Sequence, residues 1–171
     1  MPNHTTDRLL FNFGFLLSGN PGEKTTVELD YPSVKLEEIY LAPLTGKFKA
    51  SRTARGVFLN GKLRSILEIE CSRCADNFQT PVAMPIEDHY FLRDEAPPGE
   101  FTIADDGILD LGPLVRELAI TAVPIQPICK TDCQGLCVSC GQNFNHGTCD
   151  CEIDDIDPRM AVLKQLLENN E

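Results

Sequence analysis

The sequence has no apolar run that approaches the roughly 20 residues a membrane-spanning helix needs, and its basic residues are few. It carries 15 Lys and Arg against 26 Asp and Glu, so its formal net charge is -11. Because phosphate contacts need an excess of Lys and Arg, this balance argues against wholesale wrapping by a nucleic acid. We therefore expect no membrane partner, and any contact with nucleic acid must be local.

Short catalytic motifs are also missing. The sequence contains no Gly-rich phosphate loop, no G-x-S-x-G nucleophile turn and no H-E-x-x-H metal motif. No pair of carboxylates has an evident catalytic task. We predict that the protein is not an enzyme and that it has no small-molecule substrate.

One apolar stretch, residues 9–17 (LLFNFGFLL), comes nearest to a secretion signal. Asp7 precedes it, Asn12 interrupts it and no small-residue cleavage site follows it, so we expect a cytoplasmic protein with reduced thiols. Alternate positions of the stretch are apolar, which predicts a strand with one buried face. These positions are Leu9, Phe11, Phe13, Phe15 and Leu17.

Residues from about 9 to 92 are rich in β-formers, and apolar residues recur at alternate positions. In the clearest strand, at 62–71, one face carries Leu63, Ser65, Leu67, Ile69 and Cys71, and the other is charged. Asn60-Gly61 is a strong hairpin signal, and Arg55-Gly56 is the alternative turn. The pattern predicts an antiparallel sheet or a partial barrel. The other predicted strands lie at 25–31, 46–53, 56–59 and 80–92.

The second half of the chain changes in composition. Residues 93–109 are acidic and Pro-containing, and we interpret them as a mobile or loosely packed linker. Asp110 is a candidate N-cap for a helix at about 110–123, and Asp157-Pro158 begins a predicted C-terminal helix. The fold class is therefore α+β. We divide the chain into a mainly β domain at 1–128 and a cysteine-rich zinc module at 129–171, packed together as one unit.

Eight cysteines form four close pairs, which is the number needed for two four-thiolate metal sites. A C-x2-C turn directs two sulfurs at one point, and two such pairs complete a tetrahedral zinc site. Disulfides, a redox dithiol and an iron-sulfur cluster are the alternatives. The pairs are Cys71 with Cys74, Cys129 with Cys133, Cys137 with Cys140, and Cys149 with Cys151.

The four pairs can be combined into two sites in three ways. Sequence proximity favours joining the third pair to the fourth, because the loop between them is short and closes at modest entropic cost. The first and second pairs then form the other site. A cross-braced arrangement, in which the first pair joins the third and the second joins the fourth, is the main rival. His146, inside the short loop, is an alternative ligand to a cysteine.

Basic residues are concentrated between Lys47 and Leu67, a window without any acid. This window is the candidate contact surface for RNA or another partner, and its alternative role is the solvated face of a strand pair. The acidic remainder of the chain suits a basic protein as partner. The candidate contact residues are Lys47, Lys49, Arg52, Arg55, Lys62 and Arg64.

Three segments together resemble the YceD family of bacteria and plastids, the large ribosomal RNA subunit accumulation proteins. These segments are CSRCADNF at 71–78, DDGILDLGPLVRELAITAVPIQPIC at 105–129, and the cysteine cluster at 129–151 with the DIDPRMAVLKQL that follows it. The resemblance covers roughly residues 40–168. It implies a non-enzymatic factor of ribosome biogenesis whose partner is ribosomal RNA or a large-subunit ribosomal protein. Shorter relatives lack most of the final cluster, which favours two separable sites.

Overall fold

The computed structural model describes residues 7–151, in which far more residues lie in β-strands than in helices. The elements run in chain order as β1(Leu10–Asn12), α1(Gly14–Leu17), β2(Lys24–Tyr31), β3(Val34–Leu36), β4(Ile39–Leu41), β5(Leu44–Thr53), β6(Gly56–Glu70), β7(Asn77–Leu92), β8(Thr102–Ile103), β9(Ile108–Asp110) and α2(Gly112–Ala122). A single turn of 3-10 helix, Arg93–Glu95, follows β7. Within the described residues, neither α-helix is long and apolar enough to cross a membrane.

The main sheet has five strands in the order β2-β5-β6-β7-β8. Its pairs are antiparallel except β7 with β8, which is parallel. Two small antiparallel pairs, β1 with β9 and β3 with β4, complete the strand pairing. The strand order is that of an open sheet, so the structure agrees with the antiparallel sheet predicted from the sequence and shows one parallel pair in addition.

The sheet buries one face because its strands alternate in polarity. On β6, Leu59, Leu63 and Leu67 are buried, while Lys62 and Arg64 between them are exposed. Burial of each Leu removes apolar surface from water and stabilises the fold by about 1.5–3 kcal/mol. The charged face of β6 therefore remains available to solvent.

The hairpin between β5 and β6 turns at Ala54-Arg55, where Thr53 pairs with Gly56. The stronger predicted hairpin signal, Asn60-Gly61, was wrong. Gly61 lies inside β6 opposite Phe48, and a Cβ at this position would approach the Phe48 Cα to 2.4 Å. Glycine is needed here because two backbones come close together, and no turn is involved.

The predicted strand at 9–17 was wrong beyond Asn12. Only β1 is extended, and α1 begins at Gly14, whose N–H donates to Asn12 Oδ1 at 2.8 Å. Phe15 is 64% exposed, whereas Leu16 is buried. A short apolar run can match both spacings. Its odd positions alternate as in a strand, while Leu9, Phe13 and Leu16 also recur at helical spacing.

The acidic segment 93–109 differs from the loosely packed linker that we predicted. Ile103 and Leu109 are buried, and the Phe101 ring stacks on Tyr90 with 5.2 Å between ring centroids. The carboxylates of Asp105 and its acidic neighbours remain exposed. A few apolar residues at suitable spacing are thus enough to anchor an acidic segment to the core.

Helix α2 lies where the sequence predicts a helix at about 110–123, and it begins two residues later than Asp110. The Asp110 carboxylate accepts a hydrogen bond from the Gly112 N–H at 2.9 Å. Leu114 and Val115 are buried. The predicted C-terminal helix lies outside the described residues, and the division at 128/129 stays a prediction.

Substitution of Gly61 by Ala tests the close approach of β5 and β6. We expect Gly61→Ala to lower the free energy of unfolding by about 1–3 kcal/mol, since the new methyl group meets backbone atoms that cannot move freely. Chemical denaturation measures this change. Asn60→Ala, at the exposed neighbouring position, is the matched control and should change stability by less than about 0.5 kcal/mol. Equal stability of the two variants would contradict the interpretation.

Candidate metal centres

The first cysteine cluster forms where the end of β6 meets the chain that follows α2. Cys71 comes directly after β6 and Cys74 lies in the turn before β7, while Cys129 and Cys133 come from the later segment. All four Sγ atoms lie within 4.8 Å of one another. The sulfurs of Cys71 and Cys133 are 3.9 Å apart, and those of Cys74 and Cys129 are 3.6 Å apart.

These separations match a four-thiolate metal site. Four sulfurs at 2.3 Å from a zinc ion at the centre of a tetrahedron are about 3.8 Å from one another. The eight cysteines are free thiols in the structure. The donors of the first cluster therefore have both the chemistry and the spacing to hold a tetrahedral metal ion.

Backbone N–H groups point at the sulfur of Cys71. The N–H of Arg73 lies 3.5 Å from it and the N–H of Cys129 lies 3.4 Å from it. Burial raises the pKa of the Cys71 thiol, but these hydrogen bonds favour the thiolate and lower the pKa to about 6. Cys71 is thus prepared to act as an anionic ligand.

The second cluster lies in the loop that follows and is formed by Cys137, Cys140, Cys149 and Cys151, again with all sulfurs within 4.8 Å. The N–H of Gly141 donates to the Cys137 carbonyl at 2.9 Å and closes the turn between the first two ligands. Gly141 has φ +75°, in the left-handed region that glycine favours. A glycine therefore suits the position directly after Cys140.

Cys137 resembles Cys71 in its surroundings. The backbone N–H groups of Cys140 and Ser139 lower the pKa of the Cys137 thiol to about 6 and outweigh the effect of burial. The pKa of Cys151 shifts in the opposite direction, since contacts with the Cys140 and Cys149 sulfurs raise it to about 12. Metal ligands must be deprotonated, so a cation bound in this cluster would displace the Cys151 proton.

The structure brings the eight cysteines together in the grouping that sequence proximity favours, and the cross-braced rival is not found. Each cluster supplies four sulfur ligands, so a tetrahedral ion in either one would have no open position for water or substrate. Sites of this kind are structural.

Three residues of the second loop contact the first cluster or Asp76 beside it. Asn143 Nδ2 donates to the Asp76 carboxylate at 2.8 Å and to the Cys74 carbonyl at 3.3 Å. Asn145 Nδ2 lies 3.5 Å from the Cys133 sulfur. His146 Nε2 lies 3.0 Å from Asp76 Oδ2, so its partner is this carboxylate and it is not a member of the second cluster.

The role of Asn143 and Asn145 was missed by sequence reasoning. The only signal was a run of polar residues with Gly, GQNFNHG at 141–147, and such runs occur in many loops. Their task depends on the turn at Asp76, which lies far away in the sequence. The hydrogen bonds join the two loops into one substructure.

The six candidate contact residues of the basic window separate into two sets. Arg52 donates to the carbonyls of Thr53 and Gly56, inside its own turn. Arg55 lies near the Glu95 carboxylate at 3.7 Å and over the Phe91 ring, 5.1 Å from its centroid. The remaining four line an open cleft of about 680 Å³ on the outer face of the sheet: Lys47, Lys49, Lys62 and Arg64.

The structure thus defines a sheet protein with two closed groups of four cysteines. The sequence matches the family described as "Large ribosomal RNA subunit accumulation protein YceD" over residues 59–167, which is more than half of the chain. The chain belongs to the YceD family.

The sequence identity between this chain and individual relatives is low. The chain is 33% identical over 60 residues to the chloroplast "Large ribosomal RNA subunit accumulation protein YCED homolog 1" of Arabidopsis thaliana, which is 35% of this chain and 19% of that protein. An uncharacterized protein of Mycobacterium tuberculosis is 26% identical over 70% of this chain and 59% of its own length. YlbN of Bacillus subtilis is 20% identical over 77% and 78%. The chain thus spans less than two thirds of the first two relatives, and no solved structure matches it.

Removal of the Asn143 side chain tests the connection between the two loops. We expect Asn143→Ala to lower the melting temperature by a few degrees, because the Asp76 carboxylate and the Cys74 carbonyl lose a shared donor. Differential scanning calorimetry measures the shift. Thr148→Ala, at an exposed position of the same loop, is the control. The connection is refuted if both variants have the same melting temperature as the wild type.

Proposed function

We propose that this protein is a non-enzymatic factor that supports the accumulation of large-subunit ribosomal RNA during ribosome biogenesis, and that two structural zinc ions stabilise it. The observation that carries the role is the family match over residues 59–167. The Arabidopsis relative carries the same role in its name. The partner of this protein is ribosomal RNA or a protein of the large subunit.

Two closed metal sites support a role without catalysis. A catalytic zinc ion keeps one position open for water or substrate, whereas each cluster here offers four sulfur ligands. Within residues 7–151, the charged residues that line the cleft on the outer face of the sheet are Lys47, Lys49, Lys62 and Arg64, with Glu28 as its only carboxylate. A single carboxylate among cations is not an acid-base pair.

A zinc ion fits the four sulfur donors of each cluster better than an iron-sulfur cluster does. Four thiolates in tetrahedral spacing suit zinc, and the cysteine runs of common iron-sulfur proteins are absent from the sequence. Cys71, Cys74, Cys129 and Cys133 would hold one ion, and Cys137, Cys140, Cys149 and Cys151 the other. The ion would neutralise the thiolates and connect distant segments of the chain.

A thiol-dependent redox protein is the alternative, and the lowered pKa values of Cys71 and Cys137 favour it at first sight. Reactive cysteines are partly exposed, however, because the partner disulfide must reach them. Cys71 is 2% exposed and Cys137 is 3% exposed. Burial among three other sulfurs is the environment of a metal ligand.

Metal content tests the zinc sites one at a time. Protein purified without chelator should contain about two zinc ions per chain by elemental analysis, since each cluster completes one tetrahedral site. Cys74→Ser and Cys140→Ser should each retain about one. Thr131→Ala, at an exposed position between Cys129 and Cys133, is the control and should retain both. Metal-free wild-type protein with rapidly alkylated thiols would instead support the redox alternative.

Ribosomal RNA levels test the role in the cell. Deletion of the gene should lower the ratio of large-subunit to small-subunit ribosomal RNA, because the family role is specific to the large subunit. Quantification of both RNAs measures the ratio, and the wild-type gene should restore it. The proposed function is abandoned if the ratio is the same with and without the gene.

A further inference from the structure

Four exposed cations share the outer face of β5 and β6. Lys47 and Lys62 are direct partners in the antiparallel register, Lys49 pairs with Asn60, and Arg64 pairs with Thr45. Residues two apart on a strand are roughly 7 Å from one another, and neighbouring strands are about 4.8 Å apart. The four side chains therefore emerge from one small area, in a chain whose formal net charge is -11.

This arrangement is unfavourable without a counter-charge. Two like charges directly opposite each other on neighbouring strands destabilise the pair. Within residues 7–151, none of the four cations forms an ion pair. Among the described residues, Glu28, the Cα partner of Lys47, is the only carboxylate that lines the cleft. The cleft thus has an excess of positive charge that an anionic partner would neutralise.

The lining of the cleft favours phosphates over a protein surface. Its one aromatic residue, Phe48, is 1% exposed and offers no ring to a partner. Protein interfaces depend on buried aromatic or apolar anchors, and the described lining of the cleft presents none. Thr26, Thr45 and Asn60 add neutral polar groups that can donate to phosphate oxygens.

We propose that the cleft formed by Lys47, Lys49, Lys62 and Arg64 binds the phosphate backbone of RNA, without reading its bases. This inference rests on the proposed function, which it deepens by naming the RNA contact. Base recognition in single strands uses aromatic stacking, and the cleft exposes no aromatic ring. Binding should therefore tolerate changes of RNA sequence and respond strongly to salt.

The test uses the full-length, metal-loaded protein and a quadruple variant, K47Q/K49Q/K62Q/R64Q. The matched control, R8Q/K35Q/R93Q/K130Q, removes the same charge at exposed positions outside the cleft. The probes are a short single-stranded RNA, a second RNA of scrambled sequence and polyglutamate. Metal content and circular dichroism verify that both variants are folded.

Wild type and control should bind both RNAs with similar affinity. With about four phosphate contacts to a single strand, log affinity should fall against log salt with a slope of about -3. A roughly fourfold rise in salt then weakens binding roughly 50-fold. The quadruple variant should bind roughly tenfold or more weakly at low salt, with a slope near zero.

Three results would overturn the inference: unchanged RNA binding by the quadruple variant, equal loss of binding in the control, or binding of polyglutamate in place of RNA.

Complementation of the deletion distinguishes failure of this inference from failure of the proposed function. If the quadruple variant restores ribosomal RNA levels and binds RNA like wild type, the cleft is not the contact and the role stands. If deletion itself leaves these levels unchanged, the role fails whatever the cleft binds.

Discussion

The convergence of four sulfurs from two distant segments is the constraint on which the rest of the structure depends. Cys71 and Cys74 end the longest strand pair, β6 and β7, and Cys129 and Cys133 follow α2. Ser72 strengthens the junction, since its N–H and its hydroxyl both donate to the Pro127 carbonyl at 2.9 Å. The sheet, the helix and the cysteine-rich segment are held in one place by this junction.

The second cluster depends on the first through ordinary hydrogen bonds. Asn143 and Asn145 connect its loop to the Asp76 turn and to the Cys133 sulfur. A polar loop of this kind has few apolar residues to bury, and the grouped cysteines bring its segments together instead. The cysteines therefore act as an extension of the hydrophobic core into a region that cannot form one.

The two faces of the main sheet have different roles. Its inner face packs Leu63 and Phe48 into the core, and its outer face carries the four cations of the cleft. Alternation along β5 and β6 allows both roles on the same strands. The acidic segment 93–109 covers another part of the core with Ile103 and Leu109 and keeps its carboxylates exposed. The chain is thus acidic overall, and its described part carries a basic cleft.

The sequence by itself determined the features that depend on local spacing. These are the antiparallel strands around β6, the C-x2-C turns at Cys71–Cys74 and Cys137–Cys140, and the concentration of cations between Lys47 and Arg64. Local spacing sets side-chain direction within a strand or turn, so these patterns are readable one segment at a time. The tertiary structure alone decided the turn at Ala54-Arg55, the packing of 101–109 and the separation of Arg52 and Arg55 from the cleft. Each of these depends on a partner distant in sequence, such as Phe48 beside Gly61 or Glu95 beside Arg55, which no local pattern contains.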